Sequence, residues 1–277
     1  MPLKLMYITN SPEIAQIAES AGIDRIFIDM EYIGKSDRQG GMDTVQCRHS
    51  IEDIKKIKKA VLSADVMVRV NPIHNSTKYY SSSKVEINSA IAAGADILML
   101  PFFKTANEVK QFIETVDGRA RTLPLVETPD AVEAIDEILG LNGIDEIFIG
   151  LNDLSLGYGK KFMFELLSDG TVERLCSKFK QSGIPYGFGG IASIGKGLLP
   201  SEYVIKEHYR LGSTCAILSR SFCNVDKVNN LDTIRNIFLN GVKEIRKLEA
   251  ECLSKDEIYF EQNKKEVYRK VKLICGE

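Results

Sequence analysis

Eight short apolar runs recur along the sequence, and a helix-like stretch follows almost every one. The runs are Lys4–Ile8, Arg25–Asp29, 66–70, Ile97–Leu100, 123–126, 146–149, 184–187 and 214–218. Most are continuously apolar rather than alternating, as in strands that bury both faces of a parallel sheet. Between them, helical patterns occupy residues 12–21, 51–62, 85–93, 105–116, 130–139, 171–181 and 202–211. Their ends are signalled locally. Asn10-Ser-Pro-Glu13 supplies cap and first-turn residues, while Gly22 and Gly94 stop the helices before them. Strands alternating with helices mean a parallel α/β fold, and eight such units mean a (β/α)8 TIM barrel. An open doubly wound sheet would place a glycine-rich phosphate fingerprint after its first strand, and Ile8-Thr-Asn-Ser-Pro12 contains no glycine. Residues 231–272, rich in Lys and Glu, read as one or two amphipathic helices that close the barrel and extend beyond it. The whole chain, 1–277, is expected to be a single barrel domain with 231–277 as its helical closure and extension. A helix beyond the barrel is suited to packing on a neighbouring subunit or to serving as an intramolecular lid, and a homo-oligomer built through the C-terminal helices is the expectation carried forward.

Composition narrows the function classes. A net charge of −2 gives no electrostatic footprint for nucleic acid or for an anionic membrane surface. No apolar run reaches the roughly 20 residues that span a bilayer. The start, Met1-Pro-Leu-Lys4, lacks the apolar core of a signal peptide, so a cytoplasmic location is expected. The six cysteines are scattered with no C-x-x-C pair, which fits free thiols in a reducing compartment and gives no zinc-ligand spacing.

In a parallel barrel, chemistry sits at the C-terminal ends of the strands. The second strand ends in Asp29-Met-Glu31, the third in Arg69-Val-Asn71 and the fourth in Pro101-Phe-Phe-Lys104. The fifth ends in Glu127, the sixth in Gly150-Leu-Asn-Asp153, the seventh in Gly187-Phe-Gly-Gly190 and the eighth in Ser219-Arg220. Glu127 and Asp153, on consecutive strand ends, offer hard oxygen ligands suited to Mg²⁺ or Mn²⁺. Two carboxylates leave coordination positions for water and a chelating substrate. The competing reading is that each acid caps the helix after it. Arg69 interrupts an apolar strand, where a guanidinium requires an anion. That anion is either a substrate carboxylate or enolate oxygen, or a structural partner among Asp29, Glu31 and Glu127. Asp29 and Glu31 are two residues apart and can share the face of the barrel mouth, with Glu31 nearer to solvent. Gly189 and Gly190, read as a loop after the seventh strand, could cradle an anion with their amides, or simply make a tight turn. His49 and His74 could each act as a general base, or be ordinary surface histidines. His49 closes a loop of about twenty residues (31–50), long enough to be functional.

Three motifs carry a resemblance. Gly94-Ala-Asp-Ile-Leu-Met-Leu-Pro101, Leu125-Val-Glu-Thr-Pro-Asp-Ala-Val132 and Ile144-Asp-Glu-Ile-Phe-Ile-Gly-Leu-Asn-Asp-Leu-Ser-Leu-Gly157 resemble the HpcH/HpaI aldolase and citrate lyase β-subunit family, over roughly residues 1–220. The resemblance implies a (β/α)8 barrel in which Glu127 and Asp153 hold Mg²⁺, Mn²⁺ or another divalent metal. Val68-Arg-Val-Asn-Pro72 is similar to the family's arginine motif, which gives Arg69 the carboxylate or enolate of a 2-oxo acid. Amides near Asn152 and Asp153 would assist. One departure stands out. The aldolase branch places a histidine directly after the acid that follows the second strand, and here Glu31 is followed by Tyr32. His49 folding back to replace that base is one expectation. The implied activity is a metal-dependent carbon–carbon lyase or aldolase acting on a small 2-oxo acid through a pyruvate-type enolate. Its rivals are a related enzyme transforming phosphoenolpyruvate or an acyl thioester, and a barrel that has lost catalysis and serves as a binding or assembly subunit.

Overall fold

The computed structural model describes residues 1–34, 49–225, 227–228 and 230–276. Its strands are β1 (Lys4–Ile8), β2 (Arg25–Asp29), β3 (Asp65–Arg69), β4 (Ile97–Leu100), β5 (Arg121–Val126), β6 (Ile147–Ile149), β7 (Tyr186–Ile191) and β8 (Cys215–Leu218). They pair in sequence order, all parallel, and β8 returns to β1 to close the barrel.

Side chains alternate across each strand, so residues two apart share a face. On β2 the inward set is Arg25, Phe27 and Asp29, and the β3 residues in register with them are Asp65, Met67 and Arg69. On β5 the same parity gives Arg121, Leu123, Leu125 and, just past the strand, Glu127. Apolar members of these sets join Met6, Ile97, Met99, Phe148 and Cys215 in a cluster that fills the barrel. The outward residues, such as Ile26 and Ile28, pack under the helices in the larger core. The barrel is therefore apolar in its middle and ionic at both ends.

The lower end is sealed by charge. Arg25, fully buried, donates from Nη1 and Nη2 to the Glu146 carboxylate at 2.9 and 2.5 Å. Burial alone would lower the Arg25 pKa, but hydrogen bonding and the charge of Glu146 outweigh it and the net shift is upward. Arg121 pairs with Asp65 and lies 3.7 Å from Glu146, completing the plug.

The expected helices are present as α1 (Pro12–Ser20), α2 (Ile51–Ala60), α3 (Ser83–Ala93), α4 (Ala106–Val116), α9 (Thr171–Gln181) and α10 (Ser201–Leu211). Between α4 and α9 the chain forms four short helices where the sequence pattern predicts one. The stretch 130–139 is two helices, α5 (Pro129–Glu133) and α6 (Ile135–Leu139), because Ala134 at φ −81°, ψ 6° breaks the winding. Two further turns, α7 (Leu151–Gly157) and α8 (Glu165–Ser168), follow β6. The glycine run placed after the seventh strand lies within it: β7 extends through Gly189 and Gly190 to Ile191, with a register irregularity against β8 between Gly187 and Gly190. A Cβ at Gly187 would strike the carbonyl oxygen and sulfur of Cys215, so only glycine lets β7 and β8 approach here.

The C-terminal segment forms two helices, α11 (Leu231–Cys252) and α12 (Glu257–Cys275). The first closes the helical ring against α1 and α10, and the second doubles back over α10 and α8. The chain start is tied to α11: the Leu3 amide donates to Glu249 at 2.7 Å, and Arg246 donates to the Leu3 carbonyl at 2.8 Å. Asn263 of α12 donates to Glu207 of α10 at 2.8 Å.

Between α10 and β7, the His208 ring stacks on Phe188 with centroids 3.8 Å apart, and its Nδ1 meets the Ser213 hydroxyl at 2.8 Å. Burial pushes the His208 pKa down from 6.5 to about 3. Between those values the unfolded chain binds a proton that the folded chain does not, so stability falls as pH drops through this window and is unaffected above it. The expected loss from this residue is about 1.4 kcal/mol per pH unit below 6.5. Urea unfolding from pH 7.5 to 4.5 checks it. His208→Phe, which keeps the stacked ring and cannot titrate, should flatten that limb relative to the parent protein.

Candidate active site at the mouth of the barrel

The inward parity that places Arg25 at the bottom of β2 places Asp29 at its top, beside Arg69 of β3. Around the same rim stand Glu127 after β5 and Asp153 in the first turn of α7. A cavity of about 640 Å³ opens among them, lined also by His49, Asn152 and apolar side chains including Met99, Leu125 and Phe148. A second cavity of about 280 Å³, bounded by Phe102, Lys104 and Asp130, shares Glu127 and Asp153 with the first. The acid pair thus borders both.

Arg69 is held in place by carboxylates. Its Nε and Nη2 each donate to Asp29 at 2.8 Å, and Nη1 lies 3.4 Å from Glu31. Burial would depress its pKa, but Asp29 and Glu31 dominate, with Glu127 adding to them, and the net shift is strongly upward. The structural partner raised from the sequence is therefore present. It occupies one bidentate edge of the guanidinium, whose five donors leave further N–H groups for the cavity that Arg69 lines. The Phe27 ring packs 5.6 Å below the guanidinium carbon. Glu31 is not nearer to solvent than Asp29: both are 1% exposed, and Glu31 does not line the cavity. The reason lies in the chain after it, whose Tyr32 and Ile33 amides donate to Asn71 Oδ1 at 2.8 and 2.9 Å. Asn71 is fixed in turn by Glu86, which accepts from its backbone and side-chain nitrogens at 3.1 and 2.9 Å.

Glu127 is oriented by a strained neighbour. The Phe102 amide donates to its Oε1 at 3.0 Å, and Phe102 reaches that position with φ +49°, in the left-handed region that non-glycine residues avoid. On the other side is Gly150, where an added Cβ would lie 2.7 Å from Glu127 Oε2 and 2.8 Å from its Cβ. Neither contact was assigned from the sequence. The signals were a lone glycine between a strand and Asp153, and a Pro-Phe-Phe run at a strand end. Asp153 accepts from Asn152 Nδ2 at 3.3 Å, and both line the larger cavity.

His49 folds back onto the end of β2. The Asp29 amide donates to its Nδ1 at 3.0 Å, and the Tyr32 hydroxyl donates to its carbonyl. Tyr32, which stands where the resembling aldolases carry histidine, thus anchors the residue that returns a histidine to the site. With Nδ1 accepting, the neutral ring carries its proton at Nε2. The intervening residues 35–48, part of the long loop expected to be functional, lie outside the described residues. His74 is turned away, its ring nitrogens both 2.7 Å from the carbonyls of Pro72 and Ser81. Gly189 and Gly190 line the cavity as part of β7, not as an anion-cradling loop. A Cβ on Gly189 would lie 2.7 Å from Leu151 of α7, so that glycine serves close approach.

A model of the HpcH/HpaI aldolase/citrate lyase family matches residues 4–167, and the chain belongs to this family. It is thereby a member of the aldolase/lyase superfamily of enzymes. Among curated proteins it is similar to a hydroxypyruvate/pyruvate aldolase of Rhizorhabdus wittichii, 37% identical over 91 residues, which are 30% of this chain and 35% of that protein. It is also similar to a hydroxypyruvate/pyruvate aldolase of Sagittula stellata, 24% identical over 180 residues, 54% of this chain and 62% of that protein. The match thus spans less than two thirds of either relative. An HpcH/HpaI aldolase from Desulfitobacterium hafniense shares the fold with a TM-score of 0.60 at 16% identity, covering 84% of this chain and 93% of that one. An HpcH/HpaI aldolase/citrate lyase family protein from Burkholderia cenocepacia gives 0.60 at 17%, covering 84% and 95%.

Carboxylates gather at this rim: Asp29, Glu31, Glu127 and Asp153 are 1, 1, 3 and 6% exposed, and Arg69 pairs with the first two. Hard oxygen donors at Glu127 and Asp153 suit a divalent cation. Among the described residues, no group of three or more His, Cys, Asp or Glu is arranged to hold a metal ion. A divalent ion at Glu127 and Asp153 would therefore draw the rest of its shell from water and substrate, which the oxygen donor set suits. Gly150→Ala tests the steric part of this arrangement. Displacing Glu127 should weaken Mn²⁺ affinity by about 10–100-fold, the usual cost of disturbing a ligand's support, with circular dichroism unchanged. Isothermal titration with Mn²⁺ provides the measurement.

Proposed function

We propose that the protein is a divalent-metal-dependent carbon–carbon lyase or aldolase acting on a 2-oxo acid, with Glu127 and Asp153 as the protein ligands of Mg²⁺ or Mn²⁺. The observation that carries this reading is the pair of buried carboxylates, Glu127 and Asp153, that border the cavity from the ends of consecutive strands. A bound divalent ion would act as a Lewis acid toward the 2-oxo acid's oxygens and spread the charge of its enolate.

The chain's own residues supply the rest. Arg69, clamped by Asp29, presents its remaining N–H groups to the anionic 2-oxo acid and needs no reorganisation as enolate charge develops. Phe27, Met99, Leu125 and Phe148 keep the carbon end of the substrate in an apolar setting. In the cleavage direction the C4 hydroxyl loses its proton and the C3–C4 bond breaks. The aldehyde departs, and the bonding pair remains on C3 as the enolate, which a proton then quenches to give the free 2-oxo acid. His49 meets the cavity as a neutral Nε2–H donor while Nδ1 is engaged by the Asp29 amide. Its part is to polarise an oxygen, and the hydroxyl proton leaves through water. A homo-oligomer through α11 and α12 belongs to the same reading.

A phosphoenolpyruvate or thioester enzyme draws less support, because the glycines that could cradle an anion lie in strand rather than loop. A barrel without catalysis also draws less support, because Tyr32 anchors His49 at the cavity.

Pyruvate methyl-proton exchange in deuterated buffer, followed by NMR, tests the enolising half without any aldehyde. Exchange should require Mg²⁺ or Mn²⁺ and fall at least about 100-fold in Glu127→Gln and Asp153→Asn, a loss of roughly 2.7 kcal/mol of barrier lowering. Exchange that persists after chelation, or is indifferent to both substitutions, would sink the proposal. His49→Ala should lower aldol turnover while leaving Mn²⁺ affinity intact. Unchanged aldol turnover in His49→Ala would rule that role out.

A further inference from the structure

Asn71, just past β3, and Glu86, in the first turn of α3, line neither cavity at the barrel mouth. Asn71 is 5% exposed and Glu86 is half-buried. Glu86 is a costly residue where it stands. Burial pushes its carboxyl upward, the hydrogen bonds from Asn71 and the charge of His74 oppose the push, and the net shift is upward. Among the described residues no lysine or arginine pairs with it. Support of the helix alone does not require this burial, because an acid in the first turn gains from the helix dipole while exposed to water. A desolvated carboxylate is tolerated where donors meet it, and both donors here belong to Asn71. The Asn71 amide reaches Glu86 Oε1 at 3.1 Å, and Asn71 Nδ2 reaches it at 2.9 Å.

The contact has a direction. An ionised carboxylate only accepts, so the Asn71 side chain must turn Nδ2 toward Glu86 and Oδ1 the other way. Oδ1 there meets the amides of Tyr32 and Ile33 at 2.8 and 2.9 Å. With the side-chain amide flipped, Oδ1 would face the carboxylate and Nδ2 would face two N–H groups, so every contact would set like against like. From Tyr32 the hydroxyl continues to the carbonyl of His49, whose ring accepts from the Asp29 amide at 3.0 Å. An unbroken chain of hydrogen bonds therefore leads from a carboxylate on α3, through Asn71 and Tyr32, to the histidine at the cavity. Its outer end is braced. The His74 ring bridges the carbonyls of Pro72 and Ser81 at 2.7 Å each, and the His74 amide donates to Ser83 Oγ at 2.8 Å. The segment between Asn71 and α3 is thereby tied to itself, which fixes how far Glu86 stands from Asn71.

We infer that Asn71 and Glu86 are positioning residues for His49, acting on it through Tyr32. The inference rests on the proposed role of His49 and goes beyond it, by assigning the placement of that imidazole to a carboxylate that touches neither metal nor substrate. No member of the chain gives up a proton or an electron. Its effect is geometric: a catalytic group misplaced by about 1 Å can cost on the order of 100-fold in rate. The carboxylate of Glu86 sets the side-chain amide of Asn71, that amide sets the backbone of Tyr32, and Tyr32 sets where His49 meets the cavity.

The test reverses the polarity of the Asn71–Glu86 contact. Asn71→Asp alone sets two carboxylates against each other. Combined with Glu86→Gln, it restores the bond with donor and acceptor exchanged, while the new carboxylate still accepts from the Tyr32 and Ile33 amides. Turnover of pyruvate with propanal and Mn²⁺ affinity by isothermal titration are measured for each variant, in the parent and in His49→Ala. Asn71→Asp should lower kcat on the order of 10–100-fold with the KM for pyruvate and the Mn²⁺ affinity intact. Adding Glu86→Gln should return most of the loss. In His49→Ala, Asn71→Asp should cost nothing further, because residues that act as a unit are not additive. A merely structural role would lower turnover equally in both backgrounds, or move KM and Mn²⁺ affinity along with kcat. Either result overturns the inference, as does an undiminished kcat in Asn71→Asp or a loss that Glu86→Gln does not relieve. If Asn71→Asp fails to fold, Glu86→Ala takes its place in the same comparison of backgrounds. If the parent turns over no propanal, pyruvate proton exchange shows whether the 2-oxo acid reading has fallen, and the positioning is judged by NMR of the imidazole nitrogens. The chain has three histidines, and the His49 signals are those missing from His49→Ala. Signals that move in Asn71→Asp and return with Glu86→Gln support the inference, and signals that stay in place overturn it.

Discussion

The two-residue period of the barrel strands is the constraint from which the rest of the molecule follows. Closing eight parallel strands leaves an interior just wide enough for side chains to fill, and every second residue must enter it. In β2 the inward set runs Arg25, Phe27, Asp29, and in β3 it runs Asp65, Met67, Arg69. In both, charge lies at the ends and bulk in the middle. The lower charges neutralise one another through Arg25, Glu146, Arg121 and Asp65 and make a plug. The upper charges, Asp29 and Arg69, pair beside an open cavity that Glu127 and Asp153 also border. One geometric rule therefore generates a sealed end and a reactive end from the same strands, and a one-residue slip in β2 would exchange Asp29 for an isoleucine or methionine.

At the reactive end, the arrangement is maintained by contacts that leave little room for adjustment. Glu127 is pressed between the Phe102 amide and the bare Cα of Gly150, and Phe102 holds its place in a backbone conformation that costs of order 1–3 kcal/mol. Asp29 is committed on two sides, to Arg69 through its carboxylate and to His49 through its backbone amide. The site is preorganised by bonds among its own members, which is what electrostatic stabilisation of a developing enolate requires. The price in stability is met by the dry core beneath it, where Phe27, Met67, Met99 and Phe148 interdigitate.

Much of this was legible in the sequence. Continuous apolar runs such as Arg25–Asp29 identify strands buried on both faces, and their alternation with capped helices fixed the barrel. The acids at the ends of β5 and β6 were visible because a carboxylate at the close of an apolar run has few structural reasons to be there. What escaped notice depended on contacts between distant segments. Glycines 187, 189 and 190 read as a loop because composition cannot distinguish a turn from a strand that must let a neighbour approach. The short helix after β6 has no capping side chain and is too brief to show a period. Asn71 read as part of a strand end, whereas its side chain organises the chain after β2 from forty residues away. Tyr32 read as a missing base, because nothing in the local sequence says that its hydroxyl reaches the carbonyl of His49.

That last contact has a consequence for how such a protein can diversify. Tyr32 and Asp29 between them fasten residue 49 to the end of β2, so the chain that leaves the barrel at one point is returned to it at the same point. Loop closure grows only slowly with length, by about 0.6 kcal/mol for each doubling. A segment spliced between such fastened ends can be lengthened, shortened or replaced wholesale while His49 keeps its place. The barrel thereby acquires an exchangeable insert beside its chemistry, and new selectivity can be tried there without re-inventing the catalyst.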